Sequence, residues 1–290
     1  MTATATPTAR AGPRRASPPR TATPRQYLLC PPTHFRVDYA INPWMDPLRP
    51  VDGAAAWRQW RTLCTTLYGL GHQVRTIEPV PGLPDMVFAA NGATVVDGRV
   101  LIARFRHPER SAEALAYRHW FRRAGYRPVP RARQVNEGQG DFLPVGGLVL
   151  AGSGFRSSPS AHREAERALG RPVVPLTLTD PRFYHLDTAL AVLSEDQIAY
   201  FPGAFDTDSR RRLAALFPAA VLAGEPDALC FGLNAVSDGR HVLLPTRATA
   251  LAADLRADGF EPVLLDLPEL LKAGGGAKCC VLELHRRWPR

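Results

Sequence analysis

Apolar residues along the chain fall in short runs broken by turn signals, and these runs alternate with stretches of helical spacing. Gln26 to Cys30 reads as a strand stopped by Pro31-Pro32. Ala54 to Leu70 reads as a helix, with Trp57, Trp60, Leu63, Leu67 and Leu70 at helical spacing and Gly71 as its stop. His72 to Ile77 is the next strand. The segment Asp85 to Val96 then runs into Asp97-Gly98, a hairpin turn signal, and Val100 to Ala103 is its return strand. Ser111 to Ala124 reads as a helix with Ser111 as N-cap, and a further strand is expected after Gly125.

This order recurs. A second unit runs from Asn136 to Leu143, through Leu148 to Leu150 and a helix from Ala161 to Leu169, to the strand Val173 to Leu178. A third starts with a strand from His185 to Leu193, turns at Glu195-Asp196 into Ile198 to Phe201, and continues as a helix Ser209 to Phe217 and a strand Ala220 to Leu222. A fourth holds Asn234 to Val236, the turn Asp238-Gly239, His241 to Leu244, a helix Thr246 to Asp258 and the strand Glu261 to Leu265. The last half-unit, around Val281 to Leu284, is expected to join the N-terminal strand. Strand-strand-helix-strand at a period of about 50 to 55 residues predicts small sheets arranged radially, with one loop from every unit at a common mouth. At the first strand of each unit stand polar residues: Asp85 and Asn91, Glu137 and Asp141, His185 and Asp187, Asn234, and Cys279.

Composition narrows the classes. A hydrophobic share of 45% over 290 residues supports a globular core, and no apolar run is long enough for a membrane helix. The N-terminus lacks the apolar stretch of a signal peptide, which argues for a cytoplasmic protein. Residues 1–25 are mostly Thr, Ala, Pro and Arg and read as a disordered tail, with 26–290 as a single domain. Of the formal net charge of +9, +5 sits in the tail and +4 in the body, whose basic residues are scattered; this speaks against nucleic acid as a partner. The five cysteines show no CxxC spacing, so free thiols in a reducing compartment fit best.

Chemistry concentrates at Gly274-Gly275-Gly276-Ala277-Lys278-Cys279-Cys280. Glycines permit positive φ and close approach, and Lys278 with freed backbone N–H groups is a way to lower the pKa of the Cys279 thiol. Cys279 is thus the candidate nucleophile, set against the alternative of a buried, inert pair.

Together, Asp85-Met86-Val87-Phe88, Glu137-Gly138-Gln139-Gly140-Asp141, His185-Leu186-Asp187-Thr188 and the glycine-cysteine motif resemble the pentein, guanidino-group-modifying superfamily over residues 26 to 284. The resemblance implies an α/β fold built as a five-bladed propeller of ββαβ repeats. It implies Cys279 as nucleophile, His185 as general acid/base and Glu137 as the carboxylate orienting it, with Cys280 a packing residue. One residue more than the common family form separates Glu137 from Asp141, so either a bulge absorbs it or the assignment slips; we favour Glu137. Asp85, Asp141 and Asp187 are the expected forks for a guanidinium, and Arg156, with Arg110 or Arg104, the expected holders of an α-carboxylate. Asn91, where many relatives carry an acid, together with Asn42, looks like the arginine dihydrolases. The implied activity is cysteine-dependent hydrolysis of arginine or an Nω-methylated arginine through a thiouronium. Arginine dihydrolase and amidinotransferase are alternatives, and a non-enzymatic ribosome-associated role is disfavoured by the cysteine and histidine. The reaction calls for no metal and no cofactor; the partner is a small guanidino substrate, no membrane is implied, and a homo-oligomer stays open.

Overall fold

The computed structural model describes residues 20–285. Most of the expected N-terminal tail, residues 1–19, lies outside them. Within the remainder, Arg20 lies over the Phe260 ring and donates to the Asp258 carbonyl and to Gln197, and Arg25 pairs with Glu283 at 2.9 Å. A guanidinium with an aromatic face and acceptors within reach is held, whatever the composition around it.

The strands β1 (Gln26–Leu29) and β2 (Gln73–Thr76) run parallel, joined by the helix Gly53–Gly69. Asp52 caps that helix by accepting from the Ala55 amide, and Ala56, Trp60, Leu63, Cys64 and Leu67 face the core. Trp57, expected in the apolar stripe, is 36% exposed and stacks edge-on against Trp60 instead. The hairpin of β3 (Ala93–Val96) and β4 (Arg99–Ile102) turns at Asp97-Gly98, both at positive φ. Its helix, Glu113–Arg123, follows a 3-10 turn at Pro108–Arg110. Ser111 is not its N-cap; the hydroxyl donates to the Pro108 carbonyl within that turn. The strand expected after this helix shrinks to a single bridge between Ile102 and Arg131, because Pro128 and Pro130 bring no N–H to a ladder.

The other units are complete. β5 (Phe142–Val145), β6 (Leu148–Ser153) and β7 (Val173–Thr177) form one sheet; β8 (Leu190–Val192), β9 (Ile198–Tyr200) and β10 (Val221–Leu222) a second; β11 (Val236–Ser237), β12 (His241–Leu244) and β13 (Glu261–Leu264) a third. In each, an antiparallel pair is followed by a helix and a parallel strand. β14 (Leu282–Glu283) returns antiparallel to β1, Tyr27 opposite Glu283, so the first and last strands among the described residues share a sheet. The result is an α/β fold with five sheets among the described residues.

First strands touch in succession: β14 meets β3, β3 meets β5, β5 meets β8, and β8 meets β11. The Lys278 amide donates to the Asn234 carbonyl at 3.1 Å, linking the loop ahead of β14 to the loop ahead of β11. Buried Leu143, Leu150, Leu190, Ile198, Val242 and Leu244 weld neighbouring sheets, each large side chain contributing roughly 1.5–3 kcal/mol by leaving water. The polar segments that precede the first strands are thereby brought together.

Candidate active site

Each segment delivers its polar residues in a different way. Asp85 lies in a 3-10 turn, Pro84–Val87, and Asn91 in the next, Ala89–Gly92. Glu137 precedes the turn Gly138–Gly140; Gly138 sits at φ +56° with its Cα facing the Ala90 and Asn91 carbonyls. His185 and Asp187 do not share a strand face as expected. His185 is extended and precedes a one-turn helix, Leu186–Ala189, that holds Asp187, because the Leu186 amide is drawn onto Asp141 Oδ1 at 3.1 Å.

Both oxygens of Asp141 are engaged, Oδ1 by Leu186 and Oδ2 by the Ser157 amide at 3.1 Å and hydroxyl at 2.6 Å. Asp141 therefore anchors the His185 segment rather than facing a guanidinium, which corrects the expectation. Asp85 and Asp187 differ: each keeps a buried Oδ1 without a partner. Asp85 Oδ2 accepts from Tyr39 at 3.0 Å, and Asp187 Oδ2 lies 3.4 Å from Cys279 Sγ. Burial pushes the Asp187 carboxyl up to about 6, against the pull of His185 and Lys278.

Glu137 Oε2 accepts from His185 Nε2 and from Arg156, both at 2.8 Å, and Oε1 accepts from the Arg106 amide. Burial opposes its charge, but Arg156 and His185 outweigh burial and hold the carboxyl well below the usual range. His185 Nδ1 is buried and unpartnered. Its ring leans on Tyr184, whose hydroxyl donates to the Gly274 carbonyl at 2.6 Å.

The nucleophile loop is shaped by contacts to the other segments. Gly274 takes positive φ beside Asn42, and Gly275 leaves room for the Phe88 ring, which an added Cβ would meet at 2.2 Å. Cys279 is 2% exposed, with Sγ 3.1 Å from Asn234 Nδ2. Burial first and the Asp187 carboxylate second push its thiol well above the ordinary range. The Lys278 ammonium makes no hydrogen bond to Sγ; it donates to Gln139 Oε1 at 3.0 Å and to the Val281 carbonyl at 3.1 Å. Cys280 is buried in an apolar cluster, as expected of a packing residue.

Of the arginines, Arg104 is exposed and donates to the Arg133 carbonyl, outside the site. Arg110 is buried, forked onto Glu113 at 2.8 and 2.9 Å, and donates to Asn91 Oδ1 at 2.9 Å and to the Asp85 carbonyl. Arg156 donates to Glu137 and the Ile41 carbonyl over the Tyr184 ring. Asn42 and Asn91 bond other groups rather than each other: Asn42 holds the Ala273 carbonyl and the Trp44 amide, and Asn91 Nδ2 reaches the Glu137 carbonyl at 3.4 Å. Reading the sequence left Glu113 and Ser157 unassigned and gave Asn234 no role. The signal for Asn234 was its repeat phase; for Glu113 it was the i,i+3 spacing from Arg110.

Among the described residues no cluster of His, Cys, Asp and Glu could hold a metal ion, and no helix is long and apolar enough to cross a membrane. The arrangement can present a thiol to a planar cation, hold that cation on free carboxylate oxygens, and supply an imidazole for proton transfer.

No family model matches the chain. It is 57% identical over 266 residues to the N(G),N(G)-dimethylarginine dimethylaminohydrolase of Mycobacterium tuberculosis, covering 92% of this chain and 88% of that protein. It is 37% identical over 263 residues to the bifunctional arginine dihydrolase/ornithine cyclodeaminase ArgZ of Synechocystis, covering 89% of this chain and 37% of that longer protein. A crystal structure of the N-terminal domain of ArgZ, a cysteine-to-serine variant bound to its substrate, superposes with a TM-score of 0.86 at 36% identity over 90% of this chain and 98% of that domain. A dimethylarginine dimethylaminohydrolase adduct, at 19% identity and a TM-score of 0.78, shares the fold.

Proposed function

We propose, since the chain belongs to the N(G),N(G)-dimethylarginine dimethylaminohydrolase family of the pentein superfamily, that it hydrolyses the guanidino group of an Nω-methylated arginine, giving citrulline and a methylamine. The observation that carries this reading is the buried Cys279 thiol held between Asp187 and Asn234, beside two carboxylates that each keep an unpartnered oxygen. The five sheets are read as the blades of a propeller, residues 26–290 as one catalytic domain with the substrate at its mouth, and the free thiols as suited to the cytoplasm.

The guanidinium enters with its N–H groups on Asp85 Oδ1 and Asp187 Oδ1, and Arg156, with only two bonds in use, turns a remaining N–H to the substrate α-carboxylate. Arg110 holds Asn91 against the same cation. The cation offsets the negative surroundings of Sγ, so the thiol proton leaves through Asp187 Oδ2 as the sulfur–carbon bond forms. Protonated His185, held by Glu137 through Nε2, gives a proton to the departing amine, and the carbon–nitrogen bond breaks to leave a thiouronium. Neutral His185 then takes a proton from water as the water oxygen attacks that carbon; the sulfur–carbon bond breaks, Asp187 returns its proton to sulfur, and the hydroxyl proton on carbon passes to the released amine, leaving citrulline and an alkylammonium ion.

A second reading, arginine dihydrolase, is favoured by Asn91: a neutral amide can hold a ureido group for another hydrolysis. Mass spectrometry of products from arginine, monomethylarginine and dimethylarginine separates the two. Citrulline with dimethylamine supports the first reading, and ornithine with two ammonia from arginine the second; no turnover of any of the three overturns both. Asn91→Asp is expected to change the ratio of citrulline to ornithine, and an unchanged ratio removes Asn91 from substrate choice.

A further inference from the structure

Asn234 uses every hydrogen-bonding position of its side chain on the two segments that carry the chemistry. Oδ1 accepts from the Gly276 amide at 3.0 Å and the Cys279 amide at 3.1 Å. Nδ2 donates to the Asp187 carbonyl at 3.1 Å and lies 3.1 Å from Cys279 Sγ. Two backbone donors fix which end of the amide is oxygen, so the end facing sulfur is an N–H. The side chain is 1% exposed, and an added Cβ at Gly276 would come within 2.9 Å of Oδ1, so the amide is seated without slack.

The sulfur therefore has an acceptor on one side, Asp187 Oδ2 at 3.4 Å, and a donor on the other. A thiol is matched to the acceptor and a thiolate to the donor. Other charged or titratable groups close to the sulfur bear on it less directly. Lys278 is turned to Gln139, the Cys280 thiol is packed in the apolar cluster, the Tyr184 hydroxyl is given to Gly274, and His185 Nε2 is given to Glu137. Asn234 Nδ2 is the side-chain donor to Sγ, and the Gly276 amide adds a weaker backbone contribution in the same direction.

We propose that Asn234 is a catalytic residue of this hydrolase: its Nδ2–H stabilises the Cys279 thiolate as attacking and leaving group, while Oδ1 holds the nucleophile loop in place. The proposal rests on Cys279 being the nucleophile. A preorganised N–H aimed at a developing anion in a buried site is worth on the order of 10²-fold in rate.

Asn234→Asp is the informative variant, because it keeps the acceptor for Gly276 and Cys279 and puts a charged carboxylate oxygen in place of the N–H that serves both Sγ and the Asp187 carbonyl. Iodoacetamide labelling of Cys279, followed by tandem mass spectrometry across pH 6 to 11, reads thiolate formation directly. The expected result is a midpoint raised by about one pH unit or more, with kcat lowered on the order of 10²-fold and KM changed much less. Asn234→Ala tests the loop as well, and its melting temperature separates misfolding from a lost donor. A labelling midpoint and a kcat within twofold of wild type for Asn234→Asp overturn the proposal, provided that Cys279→Ser is inactive. Turnover by Cys279→Ser would instead overturn the reading of Cys279, and this inference with it.

Discussion

In the free site the Cys279 thiol keeps its proton, because burial and the Asp187 carboxylate both oppose negative charge on sulfur. Two consequences separate Asp187 from an ordinary structural acid. Asp187→Asn is expected to quicken iodoacetamide labelling of Cys279 in the free protein, since one repelling charge is gone. The same variant is expected to lower kcat/KM on the order of 10²-fold, since a guanidinium fork is lost. Labelling and steady-state kinetics that move in the same direction would refute the role. Cys279→Ser is expected to lose turnover by on the order of 10³-fold or more and to form no covalent adduct in intact-mass spectra. Sequence patterns picked out Cys279, His185 and Glu137, and the structure brings His185 and Glu137 to 2.8 Å. Their spacing could not say that Asp141 is satisfied by Ser157 and Leu186 while Asp187 is not. Those partners are 16 and 45 residues from Asp141 along the chain.

At the scale of elements, the turn Gly138–Gly140 brings the second unit's segment against the first. A Cβ at Gly138 would lie 2.7 Å from both the Ala90 and Asn91 carbonyl oxygens, at a φ of +56°. Gly138→Ala is expected to cost about 2 kcal/mol or more and to lower Tm by roughly 5 °C in differential scanning calorimetry. Gly98→Ala, where the added carbon meets open space at φ +78°, isolates the backbone cost alone and is expected to cost about 1 kcal/mol. Equal losses at the two positions would show that the contact between the segments carries no weight. Helices and hairpins were legible because their signals are local: Asp97-Gly98 specifies its own turn, and the apolar spacing of 54–70 its own helix. The third strand of the first unit was not, because the repeat suggested a strand where Pro128 and Pro130 deny its ladder.

For the molecule as a whole, the turn between β11 and β12 is tied to the segment ahead of β2 by a buried carboxylate. Asp238 is 1% exposed, lies 2.8 Å from His241 Nδ1 and 3.5 Å from His72 Nε2, and accepts from the Arg240 and His241 amides. Burial opposes its ionisation, but these bonds outweigh burial and hold the carboxyl well below the usual range. A carboxyl lowered in the folded state adds stability above its unfolded pKa of about 4 and loses it as pH falls below that value. Asp238→Asn is therefore expected to be less stable than wild type by about 2 kcal/mol at pH 7. The gap in urea unfolding should narrow below pH of about 4, and a gap that stays constant with pH would exclude the mechanism.

The sequence by itself determined the period of the fold, the phase at which polar residues recur within it, and the family, because hydrophobic spacing and glycine-cysteine motifs are written in neighbouring positions. Tertiary structure decided which of those residues can act. Asp85 and Asp187 keep an open oxygen, Asp141 and Lys278 are occupied, Arg110 is neutralised by Glu113, and Asn234 reaches the sulfur. Each of these facts depends on which groups meet when separate segments converge on one buried site, where every polar atom is either paired or left free to bind.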